Sequence, residues 1–202
     1  MRATGVILTG GKSRRFGSDK TILRWGDRTV VEKIAGQYAA LFDEILLVGN
    51  PPGKFSIPGV REIEDIYPDA GPLGGIYSGL RRASNPRIFV TACDMPFFSG
   101  KLAAELLESS DDCDAVVPRE GERVEPLFAV YNSGVLPAAE RMLLKGERAV
   151  RLLYDRVRVK YLDLGEWAGQ NQGLFFNLFF NINFPEDYRQ FQILLTSDHL
   201  PD

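Results

Sequence analysis

Histidine is almost missing from this chain. Of 202 residues only His199 is one, and it lies close to the C-terminus. A reaction that relies on a histidine general base therefore has no candidate, and a histidine-rich metal cluster is excluded. Cysteine is scarce as well. Cys93 and Cys113 lie twenty residues apart with no CxxC spacing, so neither a zinc site nor a disulfide framework is indicated, and both read as small core residues of a reducing compartment. No apolar run approaches the roughly 18 residues of a membrane span, and the run at Val6-Ile7-Leu8 is too short for a secretion signal, so a cytoplasmic location away from the membrane is expected. There is no excess of positive charge either. With 24 basic against 27 acidic residues, net charge -3, a protein that coats nucleic acid is not expected, and any anion site must be local. The two familiar nucleotide loops are absent. A Walker A motif needs glycine at position 6, where Val6 stands, and no GxGxxG occurs anywhere.

Apolar runs and helical periodicities alternate along the chain. Val6 to Leu8 is continuous and ends at Gly10-Gly11, the pattern of a strand buried on both faces. A helix is expected over 30–41, strands over 44–48 and 60–63, and a helix from Pro72 with Leu73, Ile76, Tyr77 and Leu80 on one face. Further strands are expected over 88–92, 115–117 and 125–131, and helices over 101–107, 135–144 and 149–153. A short strand at Phe179 leads to a helix that Pro185 can start, Gly165 to Gly173 reads as a loop, and 196–202 as a tail after a single domain of 1–195. This alternation predicts an α/β fold, three layers with a mostly parallel central sheet, whose ligands gather beyond the carboxyl ends of the strands.

Three such strand ends carry chemistry. The thirteen residues Leu8 to Lys20 hold the cations Lys12, Arg14, Arg15 and Lys20 and the glycines Gly10, Gly11 and Gly17. Glycine lets backbone N–H groups approach a polyphosphate, and the cations neutralise charge that spreads over phosphate oxygens as a bond breaks. Asp94 follows the apolar run ending at Ala92, where a carboxylate needs a positive partner, and a hard Mg²⁺ ion beside phosphates supplies one. Asn181 or Asn183 is a candidate second ligand, and turn or N-cap chemistry accounts for either equally well. The third end is Glu64-Asp65 followed by Gly71-Pro72-Leu73-Gly74-Gly75. Gly74 and Gly75 in the first turns of a helix imply close approach by a ligand or another element, and Asp65 is either a turn acid or an acceptor for a guanine edge or ribose hydroxyl. Trp25 and Trp167 read as packing residues. Arg119, Arg123 and Lys145 are basic residues available to an acceptor phosphate, with nothing to single one out.

The loop Leu8 to Lys20, together with Gly71-Pro72-Leu73-Gly74-Gly75-Ile76, Cys93-Asp94-Met95-Pro96-Phe97, Glu125-Pro126-Leu127-Phe128-Ala129-Val130-Tyr131 and Asn181-Ile182-Asn183-Phe184-Pro185-Glu186-Asp187, resembles the signature segments of the molybdenum cofactor guanylyltransferase family, in that family's order. Thr9, Phe16 and Phe184 stand where alanine, methionine and threonine are usual. The resemblance implies a Rossmann-like nucleotidyltransferase fold that joins GTP, with Mg²⁺, to the terminal phosphate of molybdopterin and releases pyrophosphate. It implies that Leu8, Thr9, Gly10, Gly11 and Lys20 form the GTP site with Asn50, Gly74 and Gly75, that Asp65 recognises guanosine, that Asp94 holds Mg²⁺, and that Lys20, Arg14 and Arg15 steady the reacting phosphates. Contacts with molybdoenzymes or cofactor-synthesis proteins are implied as well. The alternatives are the same chemistry with CTP, another nucleotidyltransferase of the same superfamily acting on a different phosphorylated metabolite, and a non-catalytic GTP-binding protein that delivers cofactor. Asp94→Ala is expected to abolish turnover while the circular dichroism spectrum and Tm stay those of the parent, and unchanged activity at saturating Mg²⁺ overturns the assignment.

Overall fold

The computed structural model describes residues 2–10, 23–49, 51, 53–170 and 177–195. Strand β1 (Thr4–Leu8) is buried along its whole length because it lies inside the sheet, between β4 (Glu44–Val48) and β6 (Arg87–Ala92), parallel to both. On the far side of β4 runs β5 (Val60–Ile63), also parallel. Beyond β6 come β9 (Phe128–Asn132), antiparallel, then β7 (Ala115–Glu120) and β10 (Val159–Asp163), which is parallel to β7. The order is β10-β7-β9-β6-β1-β4-β5, with β8 (Arg123–Val124) forming a hairpin on β7. A separate ribbon pairs β2 (Arg24–Trp25) with β3 (Arg28–Thr29).

Side chains alternate across the sheet and divide the core in two. Ile7, Phe89, Val116 and Val130 meet α1 (Val30–Tyr38), α3 (Gly100–Glu108), α5 (Leu164–Gln170) and α6 (Pro185–Leu194) on one face. Val6, Leu8, Val90 and Val117 meet α2 (Gly71–Arg82) and α4 (Leu136–Leu144) on the other. This is the expected three-layer arrangement. Local chemistry starts the helices. Thr29 and Glu32 cap α1 reciprocally, the Thr29 N–H donating to Glu32 at 2.6 Å and the Glu32 N–H to Thr29 Oγ1 at 3.2 Å. Ser99 accepts from the Leu102 N–H at the start of α3, and the Asp187 carboxylate accepts from the Asn183 and Phe184 N–H groups, both at 2.8 Å, where α6 begins.

Several sequence expectations are corrected. Gly165 to Gln170 belong to helix α5 rather than a loop, because Leu164 and Trp167, one turn apart, are both buried and the Trp167 Nε1–H donates to Glu105 at 2.8 Å. Three glycines between 165 and 173 mask that pair in composition. The strand expected from Glu125 starts only at Phe128, since Pro126 has no N–H to give a ladder and the Glu125 N–H turns back to the Pro118 carbonyl. Residues 177–179 form a turn and 180–182 belong to no regular element, so the short strand expected at Phe179 is absent, and 150–156 form a 3₁₀ helix. Strands β8 and β10 and the β2–β3 ribbon have no counterpart in the sequence reading. Gly173 and the tail from 196 to 202 lie outside the described residues. Trp25 and Trp167 are packing residues as expected, Trp25 meeting the Phe97 and Phe191 rings at 6.1 and 5.5 Å. Among the described residues no helix is long and apolar enough to cross a membrane.

Gly5 fixes how closely α1 approaches the sheet, because a Cβ there would collide with the Tyr38 ring and come within 2.8 Å of Phe42. Both rings are buried and packed against Phe89, so neither can swing aside. Gly5→Ala is expected to cost about 1–3 kcal/mol, read as a lowered urea midpoint with an unchanged slope.

Candidate functional site

The carboxyl ends of β5, β4, β1 and β6 stand side by side, and backbone hydrogen bonds just past the strands hold them in line. The Gly49 N–H donates to the Ile63 carbonyl at 3.1 Å, the Thr9 N–H to Val48 at 2.8 Å and the Cys93 N–H to Leu8 at 2.9 Å. The Thr9 hydroxyl adds a second bond to the Val48 carbonyl at 3.1 Å. Thr9, Gly10, Asp65 and Asp94, which follow these strands, are thereby brought to one edge.

Where β1 and β4 end, Gly10 and Gly49 touch backbone to backbone. A Cβ on Gly49 would lie 2.5 Å from the Gly10 nitrogen and 2.6 Å from its Cα, and Gly49 has φ +119°, so two independent reasons require glycine there. Gly49 is a site residue that sequence reasoning missed, although the Gly-Asn-Pro-Pro run after an apolar strand was the available signal. The contact leaves room for Asp65, whose Oδ2 lies 3.3 Å from where a Gly10 Cβ would project. Asp65 Oδ1 is buried with no hydrogen-bond partner. Burial pushes the Asp65 carboxyl up from its usual range, and the nearby Ser78 hydroxyl, whose proton goes to the Gly74 carbonyl at 2.7 Å, offsets only part of this.

Gly74 and Gly75 sit on α2, buried. The Cβ position of Gly75 is filled by Leu8 at 2.8 Å and that of Gly74 by Ala70 at 2.8 Å and the Tyr67 carbonyl at 3.1 Å. Their close approach is therefore to protein, and it seats the helix start against the end of β1.

Asp94 occupies the turn after β6, half-buried. Its carbonyl accepts the Ile182 N–H at 2.8 Å, which brings the Asn181–Asn183 segment to the same edge from the far end of the chain. The Asn181 amide donates to the Phe179 carbonyl at 2.9 Å, and the Asn183 N–H to Asp187, so both asparagines take part in turn and cap structure while lying beside Asp94. Glu125 is a second residue that sequence reasoning did not single out. Burial raises its carboxyl; the Leu127 N–H and Arg123 counter that, Asp94 adds a like-charge push upward, and Arg151 lowers it. Its only signal was membership of the Glu125-Pro126 segment. Arg119 lies at the carboxyl end of β7, Arg123 is exposed on β8, and Lys145 is exposed at the C-terminus of α4. Gly11, Arg14, Arg15, Lys20 and Asn50 lie outside the described residues.

Among the described residues no three histidine, cysteine or carboxylate side chains converge as a metal cage. A single carboxylate such as Asp94 is nevertheless compatible with Mg²⁺, which takes one or two of them and completes its octahedron with phosphate and water oxygens. A surface depression lined by Glu108, Asp111, Asp112, Arg158 and Lys160 lies at the opposite edge, by the amino ends of β7 and β10, and contains none of the expected site residues.

A family model described as "MobA-like NTP transferase domain" matches residues 5–159. A protein of Pelotomaculum thermopropionicum named probable molybdenum cofactor guanylyltransferase is 36% identical over 190 residues, covering 93% of this chain and 90% of that protein. The molybdenum cofactor guanylyltransferase of Desulfosudis oleivorans is 32% identical over 186 residues, 91% of each. Among solved structures, the molybdopterin-guanine dinucleotide biosynthesis protein A of Archaeoglobus fulgidus is similar with a TM-score of 0.81 at 25% identity, over 95% of this chain and 97% of that one.

Asp65→Asn separates the two consequences of this geometry. A carboxyl raised by burial favours the folded state most when protonated, so its contribution is lost as pH climbs through the raised value. Without nucleotide, the Tm advantage of Asp65→Asn over the parent is expected to grow as pH rises from the ordinary carboxyl value through the raised one, and to level off above it. At the same time nucleotide affinity should fall by roughly tenfold or more. A Tm difference independent of pH removes the burial argument.

Proposed function

The chain belongs to the MobA-like NTP transferase family and is a nucleotidyltransferase. On that premise we propose that it transfers GMP from magnesium-bound GTP to the terminal phosphate of molybdopterin, forming the guanine dinucleotide cofactor and releasing pyrophosphate. The observation that carries this reading is Asp65. A buried, unpartnered carboxylate oxygen beside a gap only glycine can leave is suited to accept hydrogen bonds from a ligand edge, and it lies on the opposite side of the β1 strand end from Asp94. Nucleoside at Asp65, phosphates over Leu8 to Lys20 and metal at Asp94 then follow the strand order β5, β4, β1, β6.

An oxygen of the acceptor phosphate forms a bond to the α-phosphorus of GTP as the bond from that phosphorus to the β-bridging oxygen breaks, and pyrophosphate carries away the electron pair. A phosphate monoester is already anionic near neutral pH, so no side chain has to remove a proton and the absence of a catalytic histidine is no obstacle. The work left to the protein is positioning and charge stabilisation. Thr9 and Gly10 hold the strand end against Val48 and Gly49, Asp65 receives the guanosine, and Lys20, Arg14 and Arg15 meet the phosphates. Asp94, with Glu125 or an asparagine of the Asn181–Asn183 segment as a further oxygen donor, would hold Mg²⁺. When bound, that ion neutralises charge on the triphosphate oxygens. The protein acts away from membranes and nucleic acid, in the cytoplasm.

The direct test is pyrophosphate release by the purified chain with molybdopterin and Mg²⁺, supplied with GTP, CTP or ATP in turn. Release with GTP alone is expected. Release with CTP alone replaces the donor and the product, and GTP binding without pyrophosphate release reassigns the chain to cofactor delivery.

A further inference from the structure

Leu23, Arg24 and Trp25 follow the segment Leu8 to Lys20 in the chain, and the fold holds them from three sides. The half-buried Trp25 ring meets Phe97 and Phe191 edge to face, with centroids 6.1 and 5.5 Å away. Phe97 and Phe191 are themselves fully buried and lie 5.6 Å from each other. Lys33 of α1 sets its Nζ over the Trp25 ring, 5.9 Å from the centroid. Backbone bonds fix the flanks. The Val30 N–H donates to the Leu23 carbonyl at 2.8 Å, and the Tyr188 hydroxyl of α6 donates to the Arg24 carbonyl at 3.0 Å.

Both aromatic partners of Trp25 are tied to Asp94. Phe97 lies three residues after it, and Phe191 belongs to α6, whose leading segment gives the Ile182 N–H to the Asp94 carbonyl. The Asp187 cap on the Asn183 and Phe184 N–H groups joins that segment to the helix. Trp25 is thus where the end of the phosphate segment and the Asp94 turn are packed together. Lys20 stands three residues before Leu23, and three residues of chain span at most about 11 Å, so fixing Leu23 limits where Lys20 can act. Asp65 is set independently, in the other helical layer. There the Ile66 N–H donates to Ser78 Oγ of α2 at 2.8 Å.

We propose that Trp25 is a positioning residue for the transfer, holding the end of the segment Leu8 to Lys20 at a fixed distance from Asp94, with Phe191 making α6 part of that support. This rests on the transfer reading above for the placing of triphosphate over Leu8 to Lys20. Cations and a carboxylate-bound ion stabilise developing phosphate charge only when their separation is set beforehand, and a misplacement of about 1 Å can cost on the order of a hundredfold in rate. A wide, rigid ring seated between two others and under a cation resists sliding in each direction. The nucleoside side of the site, built on Asp65 and α2, does not depend on it.

The test compares the full chain with Trp25→Leu, Trp25→Phe and Phe42→Leu. The last empties space in the same helical layer at the amino end of β1, where Phe42 packs on Tyr38 and Phe89, away from Asp94. Each protein is given Mg²⁺ with whichever of GTP, CTP and ATP the parent binds most tightly, and separately the matching nucleoside. Binding, pyrophosphate release with molybdopterin, and Tm are measured. Trp25→Leu is expected to weaken triphosphate binding and to lower kcat by about tenfold or more each, with nucleoside affinity within about twofold of the parent. Trp25→Phe should recover most of both losses, and Phe42→Leu should lower Tm without either loss. Unchanged triphosphate affinity and kcat in Trp25→Leu overturn the assignment and leave the transfer reading standing. Equal losses in Phe42→Leu, or an equal loss of nucleoside binding in Trp25→Leu, also overturn it, since general loosening then explains the effect. No pyrophosphate release by the parent, with the Trp25 dependence of triphosphate binding intact, overturns the transfer reading and upholds the positioning role. A parent that binds none of the three triphosphates overturns both.

Discussion

The backbone contact between Gly10 and Gly49 sets the spacing of everything at the carboxyl edge. Two strand exits can lie this close only if neither carries a Cβ, and the positive φ of Gly49 turns β4 away just where β1 gives way to its loop. The bonds from Thr9 to Val48 and from Gly49 to Ile63 then fix both exits to their neighbours. Asp65 fits against the gap, and the glycines of α2 let that helix start against Leu8. A methyl group at Gly49 would open the edge and move every side chain that depends on it.

Among the described residues, charge along this edge is only partly answered. Asp65 is desolvated with one oxygen unpartnered, whereas at half-buried Glu125 the Leu127 N–H, Arg123 and Arg151 work against burial and the charge of Asp94. The unpartnered Asp65 oxygen costs folding free energy unless a ligand supplies a donor, and desolvated acids in such a place are candidates for binding sites. Elsewhere the chain matches its charges closely. Glu44 gathers the Thr4 hydroxyl, the Ser84 N–H and Arg61, which together outweigh its burial and lower its carboxyl to about 2. Asp114 is likewise lowered, chiefly by Arg158. Both pairs lie away from the carboxyl edge, at the amino ends of strands.

Much of the architecture could be read from the chain because its signals are local. Val6 to Leu8 is apolar on both faces because β1 has a neighbour on each side, and Leu73, Ile76 and Leu80 recur with the helical period because one stripe of α2 is buried. Asp94 stands out because an acid directly after a buried strand is costly, and position along the chain suffices to see that, whereas Asp65 is on the residues alone as readily a turn acid as a ligand acceptor, its role being implied by the family resemblance. The misreadings came where local signals were weak. The glycines of 165–170 concealed a helix held by two long-range contacts, Trp167 to Glu105 and Leu164 to the core, and β10 is half exposed, so its apolar alternation is faint.

Composition and periodicity, by themselves, determined the three-layer α/β class and pointed to the ends of strands, Asp94 among them, as the place to look for chemistry, since burial periodicity and the cost of a charge at a strand end are properties of neighbouring residues. Tertiary structure alone decided what stands opposite what. Only the folded chain brings Gly49 against Gly10, Glu125 within the field of Asp94, Ile182 onto the Asp94 carbonyl, and Arg119 over Tyr161. These pairs are separated by tens of residues, and strand order, which packing of the two helical layers selects, places them together.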